Sequence, residues 1–210
     1  MLVSDFTFEW ILRHTVSSVE KGYVNNSADR GGPTCWGITE ATANEPQHRK
    51  VLIERFGWNG RMQDLPQAGA FWIYEESWWK PLKCAELLLI HPFIADRVFD
   101  VGINAGRERG VKWLQEILNV LNRQQKDYAD IVPDGKIGKA TLGALSAYHA
   151  KRGTEGLETL IQYLLGEQSH YYKSISESRP LNEEFTYGWG NRVRNINRLY
   201  QSVLNPQCTH

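Results

Sequence analysis

The stretch Glu20-Lys21-Gly22-Tyr23-Val24-Asn25-Asn26-Ser27-Ala28-Asp29-Arg30-Gly31-Gly32-Pro33-Thr34-Cys35-Trp36-Gly37-Ile38-Thr39 breaks a helical period and replaces it with turn formers. Upstream, counting 100° per residue from Phe8, the side chains of Ile11, Leu12, Val16 and Val19 fall in a stripe about 140° wide, which predicts an amphipathic helix up to Glu20. Glu20 lands about 40° beyond the edge of that stripe, beside apolar neighbours. From Lys21 to Ile38 the period is lost, and Gly22, Asn25, Asn26, Asp29, Gly31, Gly32 and Pro33 predict a short hairpin.

Downstream, helical spacing returns. Thr39 before Glu40 predicts the cap of a short helix, Trp58 to Leu65 reads as a loop, and Pro66 suits a first helical position. Phe71, Tyr74 and Trp78 share a face before Pro81 closes the segment. A helix is predicted over His91–Ala105 on Ile94, Val98, Val101 and Ala105, and another on Val111, Leu114, Ile117, Leu118 and Leu121. After a turn-prone linker from Gln124 to Gly138, three more helical patterns follow, the clearest on Leu157, Leu160, Ile161, Leu164 and Leu165. The fold class is therefore mainly α with one small β-hairpin. Residues 1–95 and 96–210 are read as two regions packed into one globule.

The chain has 210 residues with 24 basic and 24 acidic side chains, so no net charge argues for a nucleic-acid coat or a polybasic membrane binder. Ten basic face thirteen acidic side chains up to Ala105, and fourteen face eleven after it, an asymmetry that a solvated helix face explains. A 41% hydrophobic content with eight tryptophans supplies a real core. Cys35, Cys84 and Cys208 match neither a zinc knuckle nor a disulfide framework, which favours synthesis in a reducing compartment. Asp5, Glu9, Arg13 and Glu20 interrupt any apolar run, so the reading predicts neither a signal peptide nor stable membrane insertion. The histidines form no metal-ligand spacing, and no metal or cofactor is called for.

Glu20, Asp29 and Thr34 form the most informative chemical pattern. Cleaving a glycosidic bond requires one carboxyl that stays protonated near neutral pH to donate to the leaving oxygen, and a second group that activates water or supports an oxocarbenium-like transition state. Glu20 beside an apolar stripe has surroundings that raise a carboxyl's pKa, whereas Asp29 among backbone donors stays ionised. Nine extended residues would separate them by roughly 30 Å, so a hairpin folding back over the helix end is needed to bring Asp29 and Thr34 opposite Glu20. A separation of about 6.5 to 9.5 Å between the carboxyls corresponds to inversion at the anomeric carbon. Sugars also need aromatic faces and paired polar groups. Tyr23, Trp36, Tyr74 and Trp79 are the candidate walls, and Asn104, one turn from Asp100, is a candidate donor to a hydroxyl or acetamido group.

The whole string from Glu20 to Thr39 resembles the signature of glycoside hydrolase family 108, phage and bacterial N-acetylmuramidases with a lysozyme-like helical fold. Its pattern, roughly Glu-Gly-Gly-Tyr, Asp-x-Gly-Gly-Pro-Thr and Gly-Ile-Thr, is met here with Lys21 in place of the first glycine. The segment Tyr74 to Trp79 is similar to the family's Tyr-x-x-x-Tyr-Trp, and Phe99, Asp100, Asn104 and Gly106 to its Phe-Asp-x-x-x-Asn-x-Gly. Asp134, Gly135, Gly138 and Thr141 resemble the Asp-Gly-x-x-Gly-x-x-Thr of predicted peptidoglycan-binding helical domains, with Lys139 where proline is common. Gly188, Trp189 and Arg192 resemble the closing Gly-Trp-x-x-Arg. The resemblance implies Glu20 as the general acid of a muramidase region in 1–95 and a peptidoglycan-binding region in 96–210. It implies bacterial peptidoglycan as the partner, cut at the β-1,4 bond between N-acetylmuramic acid and N-acetylglucosamine. It further implies a phage endolysin, a monomer made in the host cytoplasm that would reach the wall in the periplasm through a membrane lesion opened by a separate holin.

Other classes remain in view. Cys35 with a histidine suggests a cysteine amidase or endopeptidase, although no histidine lies in a recognisable partner motif. A lytic transglycosylase also uses a lone glutamate, and a non-catalytic wall-binding or virion protein would retain the scaffold alone.

Overall fold

A computed structural model describes residues 7–15, 22–25 and 31–204. They fall into two compact units that divide between Pro81 and Leu82. The secondary structure is mainly helical, with one small antiparallel sheet.

In the unit up to Pro81, α1 (Phe8–Thr15) buries Ile11 and Leu12 from the predicted stripe. Val16 and Val19 lie outside the described residues. The predicted hairpin has a third strand, since β1 (Tyr23–Val24), β2 (Thr34–Cys35) and β3 (Ile38–Thr39) form an antiparallel meander. Thr39 then caps α2 (Glu40–Ala43), its hydroxyl oxygen accepting from the Thr42 N–H at 3.3 Å. Next comes α3 (Pro46–Phe56), begun by a proline and closed by Gly57 in the left-handed region. The loop read over 58–65 tightens into a 3₁₀ turn at Met62–Asp64. Pro66 is the N-cap of α4 (Gln67–Tyr74) and not its first residue. The predicted continuous helix passes at Glu75 into a π-helical turn, Glu75–Trp79. His48 staples that turn: its Nδ1–H donates to the Thr42 carbonyl at 2.8 Å, and its Nε2 is hydrogen-bonded to the Ser77 hydroxyl, also at 2.8 Å.

From Leu82 on, α5 (Cys84–Ile90), α6 (Pro92–Ala105), α7 (Arg107–Leu121), α8 (Lys139–Ser178) and α9 (Glu183–Leu204) pack together, with α8 leaving helical geometry at Gly153 (φ 62°, ψ −154°). The break divides α8 into the first two of the three expected patterns, and α9 is the third. Every residue from Pro92 to Gly102 is buried, so α6 is the core of this unit. The linker after α7 is ordered by amides of that helix. Gln115 donates to the Asp134 carboxylate at 2.9 Å and to the Thr141 hydroxyl at 3.0 Å, and its oxygen accepts from the Gly135 N–H at 2.9 Å. A β-carbon on Gly135 would come within 2.8 Å of Glu108 Cβ, and its φ of +76° disfavours side chains besides. The Asp134-Gly135 motif thus fastens the linker to α7, and Lys139 stands at the first helical position where proline is otherwise preorganised.

Four charges sit inside this unit. On α6, Arg97 is 1% exposed and donates to Asp100 (3.0 Å), Asp96 (3.1 Å), Gln168 of α8 (2.9 Å) and Tyr200 of α9 (2.7 Å). Arg192 of α9 pairs with the other oxygen of Asp100, and Tyr200 donates to Asp96. Burial pushes the Asp100 carboxyl up, but Arg192, Arg97 and the Gln168 amide outweigh it and hold the pKa below the usual carboxylate value. Two guanidinium and two carboxylate groups balance, and removing one strands a buried charge. Asp100→Ala is therefore expected to destabilise this unit by about 3–5 kcal/mol in chemical denaturation; a loss below about 1 kcal/mol would contradict the assignment.

His91 caps α6 by accepting the Phe93 N–H at Nδ1, 3.3 Å away. Burial, with the charge of His149 second, lowers its pKa from 6.5 to about 4. Below pH 6.5 the unfolded chain binds a proton that the folded histidine refuses. The stability it supplies is whole above that pH and shrinks as pH falls toward about 4, by on the order of 3 kcal/mol. Asn at this position keeps a cap acceptor without titrating, so melting temperature between pH 7 and 4.5 should fall more steeply for the wild type than for His91→Asn.

Candidate active site

The sheet is locked by a two-residue turn. Cys35 pairs with Ile38 across Trp36 and Gly37, both with positive φ (53° and 78°), as a type I′ hairpin turn demands. Glycine accepts this freely, and tryptophan does not. Three hydrogen bonds hold Trp36 there. Its N–H donates to the Gly22 carbonyl (3.1 Å), its indole N–H to the Leu65 carbonyl (2.7 Å), and its carbonyl accepts the Tyr74 hydroxyl (3.3 Å). The half-buried Trp36 thus ties β1, the 3₁₀ turn and α4 to one sheet corner.

Pairing fixes which side chains share a face. Val24, Thr34 and Thr39 stand in register on one row, and Tyr23, Cys35 and Ile38 on the other. Cys35 and Ile38 are buried, which makes theirs the inner face, with Tyr23, 36% exposed, at its edge. Thr34 is half-buried on the opposite face, so the sheet does not bring Tyr23 and Thr34 together. The Thr34 hydroxyl donates to the Gly32 carbonyl at 3.0 Å, which commits its proton and leaves its oxygen the role of acceptor. Glu20 and Asp29 lie outside the described residues. By sequence, Asp29 falls midway between the paired Val24 and Thr34.

The other candidates divide by burial. Tyr74 is 1% exposed and Trp79 6%, so both rings are buried; Trp79 packs on Phe8 at 4.9 Å and Tyr74 on Trp78 at 5.6 Å. In the other unit, Asn104 is exposed and donates to the Asp100 carbonyl (2.8 Å) and carboxylate (3.0 Å), which fixes the amide at the end of α6. Sequence reasoning paired Asp100 with Asn104 but missed Arg97, Gln168 and Arg192, which hold Asp100 in turn. Burial pushes the Cys35 and Cys84 thiols up, leaving them protonated at neutral pH and poor nucleophiles. Among the described residues no group of three or more His, Cys, Asp or Glu is placed to hold a metal ion.

Comparison with known proteins bears on this arrangement. Residues 13–106 match the family model Glycosyl hydrolase 108, and residues 109–194 match Predicted Peptidoglycan domain. Every candidate from Glu20 to Asn104 falls in the first match. Among solved structures the chain is similar to that titled "Structure of Brucella abortus SagA", at 25% identity over 94% of this chain and 95% of that one, with a TM-score of 0.67. No curated protein matches. The chain thus joins a glycosyl hydrolase 108 domain to a predicted peptidoglycan domain, and it is a glycoside hydrolase that acts on peptidoglycan.

Proposed function

We propose that the chain is an N-acetylmuramidase that hydrolyses the β-1,4 bond between N-acetylmuramic acid and N-acetylglucosamine, with Glu20 as general acid. The observation that carries the reading is the glycosyl hydrolase 108 match over 13–106, which spans Glu20, Asp29 and Thr34. The Glu20 carboxyl gives its proton to the glycosidic oxygen as the bond to the muramic acid anomeric carbon breaks. A water oxygen bonds to that carbon, and its proton passes to Asp29. Thr34, its own proton engaged by Gly32, accepts a hydrogen bond from the water and orients it. Tyr23 and Trp36 supply aromatic surface to the sugar, with Tyr74 and Trp79 in support from buried positions. Asn104, in the unit that begins at Leu82, is assigned a polar contact to the glycan. Catalysis is assigned to residues 1–95 and wall binding to 96–210.

The role that fits is host lysis by a phage endolysin, monomeric, made in the cytoplasm and admitted to the periplasmic wall by a separate holin. No helix among the described residues is long and apolar enough to cross a membrane.

Glu20→Gln should lower turnover by about two to four orders of magnitude while binding to sacculi persists; undiminished digestion by this variant would falsify the assignment. Mass spectrometry of the digest should show reducing muramic acid ends, whereas anhydro ends would mean a lytic transglycosylase. Thr34→Val keeps the β-branch and removes the hydroxyl, and should lower kcat about tenfold with KM unchanged. A change confined to KM would make Thr34 a substrate contact instead.

A further inference from the structure

The 3₁₀ turn Met62–Asp64 is closed by its last residue. The Asp64 N–H donates to the Arg61 carbonyl (3.0 Å), and its carboxylate oxygen Oδ2 accepts both the Asn59 amide (2.7 Å) and Arg61 Nε (2.6 Å). The Asn59 side-chain oxygen accepts the Arg61 N–H (2.9 Å), and the Arg61 carbonyl also takes the indole N–H of the buried Trp58 (2.8 Å). The Asn59 amide first, and Arg61 after it, hold the Asp64 pKa below the usual carboxylate value, so this acceptor keeps its charge at neutral pH. Leu65, 3% exposed, follows in the chain, and its carbonyl receives the Trp36 indole N–H from 29 residues away at 2.7 Å.

An indole carries one donor and no acceptor, so that bond is the single polar tether of the Trp36 ring, and the direction of the Leu65 carbonyl decides how the ring face is turned. The side chains that set this direction lie at the surface: Arg61 is 71% and Asp64 36% exposed, and exposed ion pairs add little to stability. What the pair fixes is the peptide that follows it. Burial first, with the Asp64 charge adding to it against a hydrogen bond from the Trp36 backbone, raises the Cys35 pKa, so the carboxylate stands within electrostatic reach of β2. We propose that Asp64 is a positioning residue for sugar binding: it fixes the Leu65 carbonyl, and through it the orientation of the Trp36 ring on which a sugar stacks. The inference rests on the reading of Trp36 as a wall of the glycan cleft, and adds a residue that governs that wall without touching the sugar.

The test uses the full chain and soluble, uncrosslinked peptidoglycan strands. Asp64→Ala should raise KM about fivefold with kcat unchanged, because a ring that must be ordered on binding weakens ground and transition states alike. Asp64→Asn keeps an oxygen acceptor in place and discards the charge, and should bring KM back to within about twofold of wild type. In a Trp36→Phe background, where the tether is absent, Asp64→Ala should move KM no further. The Trp36 indole N–H, identified as the cross-peak missing from Trp36→Phe, should exchange with solvent about tenfold faster in Asp64→Ala, a readout that needs no catalysis. An asparagine variant as impaired as the alanine one, or a loss carried by kcat, would overturn the proposal in favour of a carboxylate acting on the reaction itself. KM losses that add in the double variant, indole exchange unchanged by Asp64→Ala, or faster exchange with KM unmoved would overturn it as well. A wild type that cleaves no strand would end the hydrolytic reading; protection of the indole N–H by added strands in the wild type and not in Asp64→Ala would then still support the positioning role, and its absence would overturn that too.

Discussion

Arg97 holds a positive charge in the middle of the most buried helix, and the packing around α6 follows from the need to satisfy it. A guanidinium has five N–H donors and cannot shed its proton, so it must find acceptors or destabilise the fold. Asp96 and Asp100 come from its own helix, Gln168 from α8 and Tyr200 from α9. Because the partners come from three helices, the network sets the register of α8 and α9 against α6 as apolar contacts alone would not. Asn104 inherits its orientation from the same source, since its amide is held by Asp100.

At the sheet, the constraint is a turn that its own sequence resists. The meander closes only if Trp36 takes a left-handed conformation, and Leu65 and Tyr74, 29 and 38 residues away, make that tolerable. A residue nominated as a sugar-stacking wall is thus also a structural corner, with its indole N–H already spent. Thr34 on the adjoining strand takes its orientation from Gly32. Of the candidates this unit describes, Thr34 keeps the hydrogen-bonding capacity that the proposed chemistry needs.

Much of this was legible in the sequence, for identifiable reasons. Helical period located α1, α6, α7 and the C-terminal helices, because burial on one face leaves a repeat that one chain records by itself. Thr39 announced its cap through a local hydrogen bond to Thr42. The helix α3 went unread although Pro46 and Gly57 bracket it, since its mixed faces give little periodic signal. The third strand was missed because tryptophan is an unusual residue for a left-handed turn position. The reach of the Arg97 network beyond its own helix could not be read, since Gln168 and Tyr200 lie 71 and 103 residues along the chain and have no local signature. The pattern of Glu20, Asp29 and Thr34 was legible as chemistry, but spacing cannot supply the distances that would turn it into geometry.

The helix α6 also constrains how such a protein can evolve. The hydrolase match runs to Gly106 and so includes α6, yet α6 is the buried centre of the unit that begins at Leu82. The seam between the two family segments does not coincide with the seam in packing. A chain severed after Gly106 would expose a helix that is otherwise buried on every side and would strip Arg97 and its two aspartates of Gln168, Arg192 and Tyr200. The halves therefore cannot be shuffled as independent cassettes, and a lineage that exchanges its wall-recognition half must carry α6 along or rebuild the helices that cover it.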